Sequence, residues 1–331
     1  MTDNAQTMST ILSSTDSLSD KRAARDHRHD VWFRRSMQGA AMLVLLLLAA
    51  IAGSTLWGGS LAFRTFGLDF LTSTEWDAVN NHFGAVVPIY GTLVTSFLAL
   101  LIAVPVSFGI AIFLTEVAPP WLRMPIASAV ELLAGIPSII YGMWGLFVFG
   151  PFMAQYLSPW INDYLGALPL VGKLFQGPPL GIGMLTAGIV LAIMILPFIT
   201  SVMHEVFRSV PTTLKESAYA LGSTTWEVVW DIVLPYTRSA VMGGVFLGLG
   251  RALGETMAVT FVLGNAPQFS ASLLMPSSSI ASVIANEFSE AYTDLHRSAL
   301  IALGFLLFVV TFIVLALARL MLSRLSRKEG L

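Results

Sequence analysis

The chain has 331 residues, 55% of them hydrophobic and only 11% charged, with a formal net charge of −2 and a mean hydropathy of +0.75. A soluble domain carries about 25% charged residues, so this chain lacks the polar surface to coat a water-soluble globule. The near-neutral charge offers nucleic acid no basic footprint, and the absence of cysteine excludes disulfides, thiolate catalysis and Cys-based metal sites.

Residues 1–35 form a polar segment, rich in Ser, Thr and Asp before Lys21, and are expected to be a disordered cytoplasmic tail. A membrane-crossing helix needs about 20 mostly apolar residues. Six segments qualify: 36–60, 91–115, 126–150, 180–203, 238–263 and 298–320. In the first, Arg35 and Arg64 enclose 28 uncharged residues. Its "MLVLLLLAAIA" also resembles a secretory signal, but the run is too long and the polar segment before it too extended, so it reads as an uncleaved helix. The fold class is therefore all-α, a polytopic membrane protein with six transmembrane helices. The outer segment 61–90 follows.

Pro105, Pro137 and Pro197 are expected to interrupt the second, third and fourth spans. Such breaks either mark a pathway or reflect the ordinary tolerance of membrane helices for proline. The outer segment 151–179 contains "GALPLVGKLF", which misses the phosphate-loop pattern by one residue of spacing and has Leu174 where Ser or Thr belongs. His204-Glu205 does not extend to a His-Glu-x-x-His zinc motif.

The inner loop, 205–237, reads as two short helices. Pro211 at the first helical position and Thr213 as a cap with Glu216 are competing starts for the first, which stops at Gly222. Thr224 and Glu227 stand at capping-box spacing for the second, expected to end before Pro235 with Trp226, Val229, Trp230 and Val233 on one side. From composition alone, these are either amphipathic helices at the membrane surface or a docking element.

The fifth span holds the one intramembrane pair of charges, Arg251 and Glu255 in "GRALGETMAV". From Arg238 to Asn265 is 27 residues, about 40 Å as a continuous helix, with Arg251 halfway. A basic residue there costs about 2.5–3.5 kcal/mol, so it should face protein, water or ligand. On a helical wheel Gly244, Gly248, Arg251 and Glu255 share a face, and Gly244-x-x-x-Gly248 admits a close neighbour. Either the two charges form a structural i,i+4 ion pair, or Arg251 offers its planar fork to an oxyanion at mid-membrane. In the second case Glu255 steadies the guanidinium or accepts a proton-bearing oxygen. Thr256 adjoins that pathway, although its hydroxyl, like that of Ser138, also suits plain packing.

Beyond the fifth span, 264–297 carries a helical stripe of Ile280, Ile284 and Phe288, suited equally to a partner or to an interfacial helix. With the amino terminus inside, 14 Lys and Arg fall on inner segments and 3 (Arg64, Lys173, Arg297) on outer ones. That bias puts both termini in the cytoplasm, including the tail 321–331.

Two motifs carry a resemblance. Glu216-Ser217-Ala218, three residues, Gly222, nine residues, then Ile232-Val233-Leu234-Pro235 is similar to the cytoplasmic-loop signature of permease subunits of bacterial ABC importers, with Ser217 where the pattern has Ala. "RALGETMAV", "ELLAGIPSIIYG" (131–142) and the extra first span with its long inner tail look like the phosphate-specific members, and of their two permease subunits the chain looks like the C-type. The likeness covers about 80–331. It implies a type I ABC importer permease core over 91–320, in the bacterial inner membrane, moving inorganic phosphate by alternating access. It also implies that Glu216, Ser217, Ala218, Gly222, Ile232, Leu234 and Pro235 couple to an ATPase, and that Arg251, Glu255 and Thr256 line the substrate path. The implied partners are two copies of an ABC ATPase, a second permease forming a heterodimer, a periplasmic phosphate-binding protein and membrane lipid, with no nucleic acid. The chain itself is expected to bind no cofactor or metal and to hydrolyse no ATP; ATP and Mg belong to the partner ATPase. A sulfate or molybdate permease and a proton-coupled anion transporter working through Glu255 are the alternatives. The loop signature and the lack of an evident inverted repeat weigh against the proton-coupled one, and a membrane-embedded enzyme finds no cluster of catalytic residues.

Overall fold

The computed structural model describes residues 2–169 and 171–328, with side chains over 30–169, 171–320 and at Leu322. The chain divides into two compact units, residues 1–54 and 55–331. The first consists of most of one helix, Thr2–Gly58, whose Asp30–Gly58 portion is long and apolar enough to cross a membrane and has no buried residue in its most apolar window. Ala and Leu dominate this run and are strong helix formers, with no proline to interrupt them. This helix takes in residues 2–35, where a disordered tail is expected, and the last span likewise continues as helix to Lys328, into the expected tail 321–331.

Five further helices of the second unit have spanning length and composition: Val86–Val117, Ser138–Tyr164, Met184–Arg208, Thr225–Leu253 and Asp294–Leu320. The fourth span is the axis of this unit, with 61% of its window buried against 28% at most in the others. Leu191, Met194, Ile195, Ile199, Met203 and Phe207 are all enclosed. The second span lies against it through Ala99, Ala103 and Ala111, and Gly188 leaves room for Leu98, which a Cβ would approach to 2.8 Å. Small residues on one side and long ones on the other let the two helices pack along their length.

The prolines behave differently from expectation. Pro105 and Pro197 sit inside unbroken helices. Around Pro197, the hydroxyls of Ser107 and Thr200 both donate to the Leu196 carbonyl, at 3.0 and 2.8 Å, the kind of local polar support that lets a membrane helix carry proline. Only Pro137 marks a break. Residues 135–137, ending in Pro137 with ψ of 138°, separate a helix at Pro120–Ala134 from the third span. The third span therefore begins at Ser138 and ends at Tyr164, well beyond the expected 126–150.

Elsewhere the helices widen ahead of a proline. Wide π turns at Phe113–Val117, Gly145–Phe149 and Val228–Val233 precede Pro119, Pro151 and Pro235. A proline ring collides with the carbonyl four residues back and offers it no N–H; a locally wider turn lets the chain adjust. This corrects the expected stop before Pro235: the helix started by Thr224 runs through Pro235 into the fifth span. It also corrects the proposed stripe. Val228, Val229 and Val233 are buried, whereas Trp226 and Trp230 are exposed and lie against each other at 5.2 Å.

At the far end from the 209–224 loop, a smaller cluster forms around Phe70, Trp76, Phe83 and Leu303. A short hairpin pairs Trp76 with Phe83 and Asp77 with His82. Its turn is held by Asp77, whose carboxylate accepts from the Asn80 side chain and from the backbone N–H groups of Asn80 and Val79. Those bonds, led by the Asn80 side chain, hold its carboxyl below the usual carboxylate range. The stripe at 280–288 packs inward. Ile280 is fully enclosed and Ile284 partly so, against the last span, and only Phe288 is half exposed. Neither a partner nor an interface is required to cover it.

Candidate functional site

Helix formation in the fifth span stops where the sequence places glycine. The helix Leu234–Leu253 ends with Gly254 as its C-cap, and a new helix, Met257–Val262, begins after Thr256. Arg251 is in the last turn of the first piece, where a cation is favoured by the orphaned carbonyls. Glu255 lies in the break, and its Oε1 accepts from the Ala258 N–H at 3.1 Å, satisfying a donor that a helix start leaves free. The expectation of four residues on one continuous face is thereby corrected, because Glu255 lies past the end of the helix that carries Arg251. No ion pair joins the two among the described residues.

Gly244 and Gly248 do face a neighbour. A Cβ on Gly248 would lie 2.6 Å from Ile199 Cδ1, and one on Gly244 2.9 Å from Val202 Cγ1, both on the fourth span. Along the same contact the Arg251 guanidinium lies 5.5 Å from the centre of the Phe198 ring, a cation–π arrangement. Arg251, Glu255 and Thr256 are all partly accessible. Thr256 donates weakly to the Gly254 carbonyl at 3.4 Å, and its own carbonyl accepts from the Thr260 hydroxyl at 2.7 Å. Above the break, Met257–Val262 packs against Ser138–Trp144: a Cβ on Gly142 would come within 2.9 Å of Ala258 Cα. The broken fifth span thus meets the start of the third, which is itself set off by a break.

The loop motif folds as a separate piece between the fourth and fifth spans. Its helix is Thr212–Ala220, with Pro211 one residue before it as the N-cap and Thr213 already inside. Neither of the two competing starts has the expected form, and the Thr213–Glu216 box is absent among the described hydrogen bonds. Gly222 turns the chain with φ of +89° and nothing near its Cα face. Of the helix, only Ala218 is buried; Leu214, Glu216, Ser217 and Tyr219 are exposed. Ile232 is half-buried, as is Leu234, while Pro235 is exposed.

The second cap is formed as its spacing predicts. Thr224 Oγ1 accepts from the Glu227 N–H, and the Glu227 carboxylate accepts from the Thr224 N–H at 2.7 Å. Thr224→Ala is expected to cost about 1 kcal/mol of local stability, read as faster amide exchange at Glu227. Unaltered exchange would show that the cap contributes nothing.

The architecture is that of a multi-pass membrane protein, with an exposed helical loop between its fourth and fifth spans. The chain belongs to the family of binding-protein-dependent transport system inner membrane components, whose pattern matches residues 104–327. It is 63% identical to the phosphate transport system permease protein PstC of Xylella fastidiosa (strain 9a5c), over 97% of this chain and 99% of that protein. To PstC of Haemophilus influenzae it is 54% identical, over 93% and 98% respectively. To PstC 1 of Mycobacterium tuberculosis it is 40% identical, over 80% and 85%. Among solved structures it is similar in fold to a chain of a bacterial alginate ABC transporter in complex with an alginate pentasaccharide-bound periplasmic protein. There the TM-score is 0.57 and the identity 19%, over 88% of this chain and 97% of that one.

Proposed function

We propose that this chain is the membrane permease of an ATP-driven importer of inorganic phosphate, with Arg251 on the path of the ion. The observation that carries it is a guanidinium at the break of a membrane helix, with no carboxylate paired to it among the described residues. Broken helices are where transporters commonly place their substrate sites. The near-full-length similarity to relatives named for phosphate transport supports the choice of ion.

In this reading Arg251 attracts the oxyanion with a charge-assisted fork of donors. Glu255, with one oxygen committed to Ala258, keeps the other for a protonated phosphate oxygen, and Thr256 offers a hydroxyl beside it. The exposed loop helix, through Glu216, Ser217, Ala218 and the Gly222 turn, docks into an ATPase subunit; Ile232, Leu234 and Pro235 carry the chain from that loop into the fifth span. Two ATPase copies, a second permease and a periplasmic phosphate-binding protein complete the assembly. ATP and Mg are bound by the ATPase, and both termini of this chain face the cytoplasm.

Purification from native membranes, followed by uptake of labelled phosphate into vesicles, tests this. Co-purification of an ATPase and uptake that follows ATP supports it. Uptake that follows the proton gradient without ATP would replace it with a proton-coupled carrier working through Glu255.

A further inference from the structure

The loop helix Thr212–Ala220 has little hold on the rest of the chain. Ala218 is the buried residue of that helix, Lys215 is of intermediate exposure, and the others are exposed to at least about two-fifths. The Lys215 Nζ reaches Glu116 Oε1 at 2.5 Å, and the two side chains retain only 16% and 7% of their accessible surface. The same ammonium lies 3.5 Å from the Phe207 carbonyl oxygen. Glu116 belongs to the wide turn Phe113–Val117 at the end of the second span, and Phe207 to the last turn of the fourth. One largely enclosed ammonium therefore fastens three elements: the loop helix, the second span and the fourth.

Lys215 and Ala218, three residues apart, share one face of the helix. Leu214 and Tyr219 flank that face and are about two-fifths exposed. The helix is thus attached on one face and open on the others. A paired charge out of water is held firmly, because separating the two ions leaves each uncompensated. The end of the second span is also stiff: Pro119 and Pro120 follow it, and the Arg123 guanidinium donates to the Ala118 carbonyl at 2.7 Å. A displacement of the loop helix has a rigid point on which to act.

Resting on the permease reading above, we infer that the Lys215–Glu116 pair is the link through which movement of the docked loop helix is delivered to the second and fourth spans. The two residues are positioning residues for transport, remote from the ion, and the pair stays closed while both spans move with the helix.

The test uses the complete complex in proteoliposomes, with phosphate imported per ATP hydrolysed as the readout. Lys215→Met and Glu116→Gln are expected to keep the ATPase subunits bound and hydrolysing, and to lower phosphate imported per ATP by about ten-fold. The exchange Lys215→Glu with Glu116→Lys is expected to restore it to within about three-fold. A ratio unchanged in both single variants, with the ATPase bound, would overturn the link.

Should the single variants fail to assemble, cysteines can be placed at both positions, since the chain has none of its own. A short bis-methanethiosulfonate bridge between Lys215→Cys and Glu116→Cys is expected to support uptake, and its reductive release to abolish it. Bridged complexes that are inactive until reduced would show that the helix must part from the second span, and would sink the proposal. If no ATPase accompanies the unmodified chain, the permease reading itself fails, and the link is not what has been refuted.

Discussion

Arg251→Ala is expected to reduce phosphate uptake by at least about 100-fold while the complex still assembles. Two hydrogen bonds from an ionised donor contribute about 1.5–3 kcal/mol each, and about 1.4 kcal/mol corresponds to ten-fold. Losing both therefore more than accounts for the predicted drop. The structural loss is smaller. Arg251 is partly accessible, forms no ion pair among the described residues, and contributes mainly its contact with Phe198, about 1 kcal/mol. Gly244 and Gly248 continue to pack on Val202 and Ile199, so the fifth span keeps its place. Arg251→Lys retains the charge without the planar fork and should fall between the two. The measurement is initial uptake normalised to co-purified ATPase. An assembled alanine variant with normal uptake would remove Arg251 from the ion's path.

Gly222→Glu should separate the permease from its ATPase, or leave the two bound without ATP-driven uptake. Two causes contribute and can be told apart. The backbone at Gly222 has φ of +89°, where a side chain adds about 1–2 kcal/mol of strain. The surrounding space in this chain is open, so bulk and charge matter only against a docked partner. Asparagine tolerates positive φ better than other non-glycine residues, and Gly222→Asn should retain most coupling if backbone strain dominates. If Asn and Ala are both tolerated and only Glu fails, the defect lies in the contact with the partner. Unchanged co-purification and ATP-driven uptake in the glutamate variant would argue that docking occurs elsewhere.

The number of spans was legible because long apolar runs between charges admit few other readings. Their ends were less so. The run from 126 to 150 is apolar on both sides of Pro137, which hides the break that starts the third span at Ser138. In the fifth span, Gly254 stopped the helix inside an apolar stretch that a periodic wheel treats as continuous. The wheel therefore placed Glu255 beside Arg251, while the carboxylate in fact caps the next helix. The Thr224–Glu227 cap could be read from spacing because its two partners are three residues apart. The Lys215–Glu116 pair could not, since 99 residues separate its members and nothing in either local pattern points to the other. The inward packing of Ile280 likewise depended on the last span, which the stripe alone does not reveal.

The divided fifth span has a mechanical consequence. An unbroken helix passes a thrust along its axis like a rod, because each turn is braced by the hydrogen bonds of the next. Here the bracing is handed over at Gly254–Thr256 to one side-chain carboxylate, and the two segments are held at different places: the longer on the fourth span at Ile199 and Val202, the shorter on the third at Gly142 and on the start of the fourth, where the Val262 carbonyl accepts from the Gly183 N–H at 2.9 Å. A shove arriving from the loop end travels as far as Arg251 and is then no longer obliged to reach the segment beyond. The cation can shift while the ceiling above it holds still.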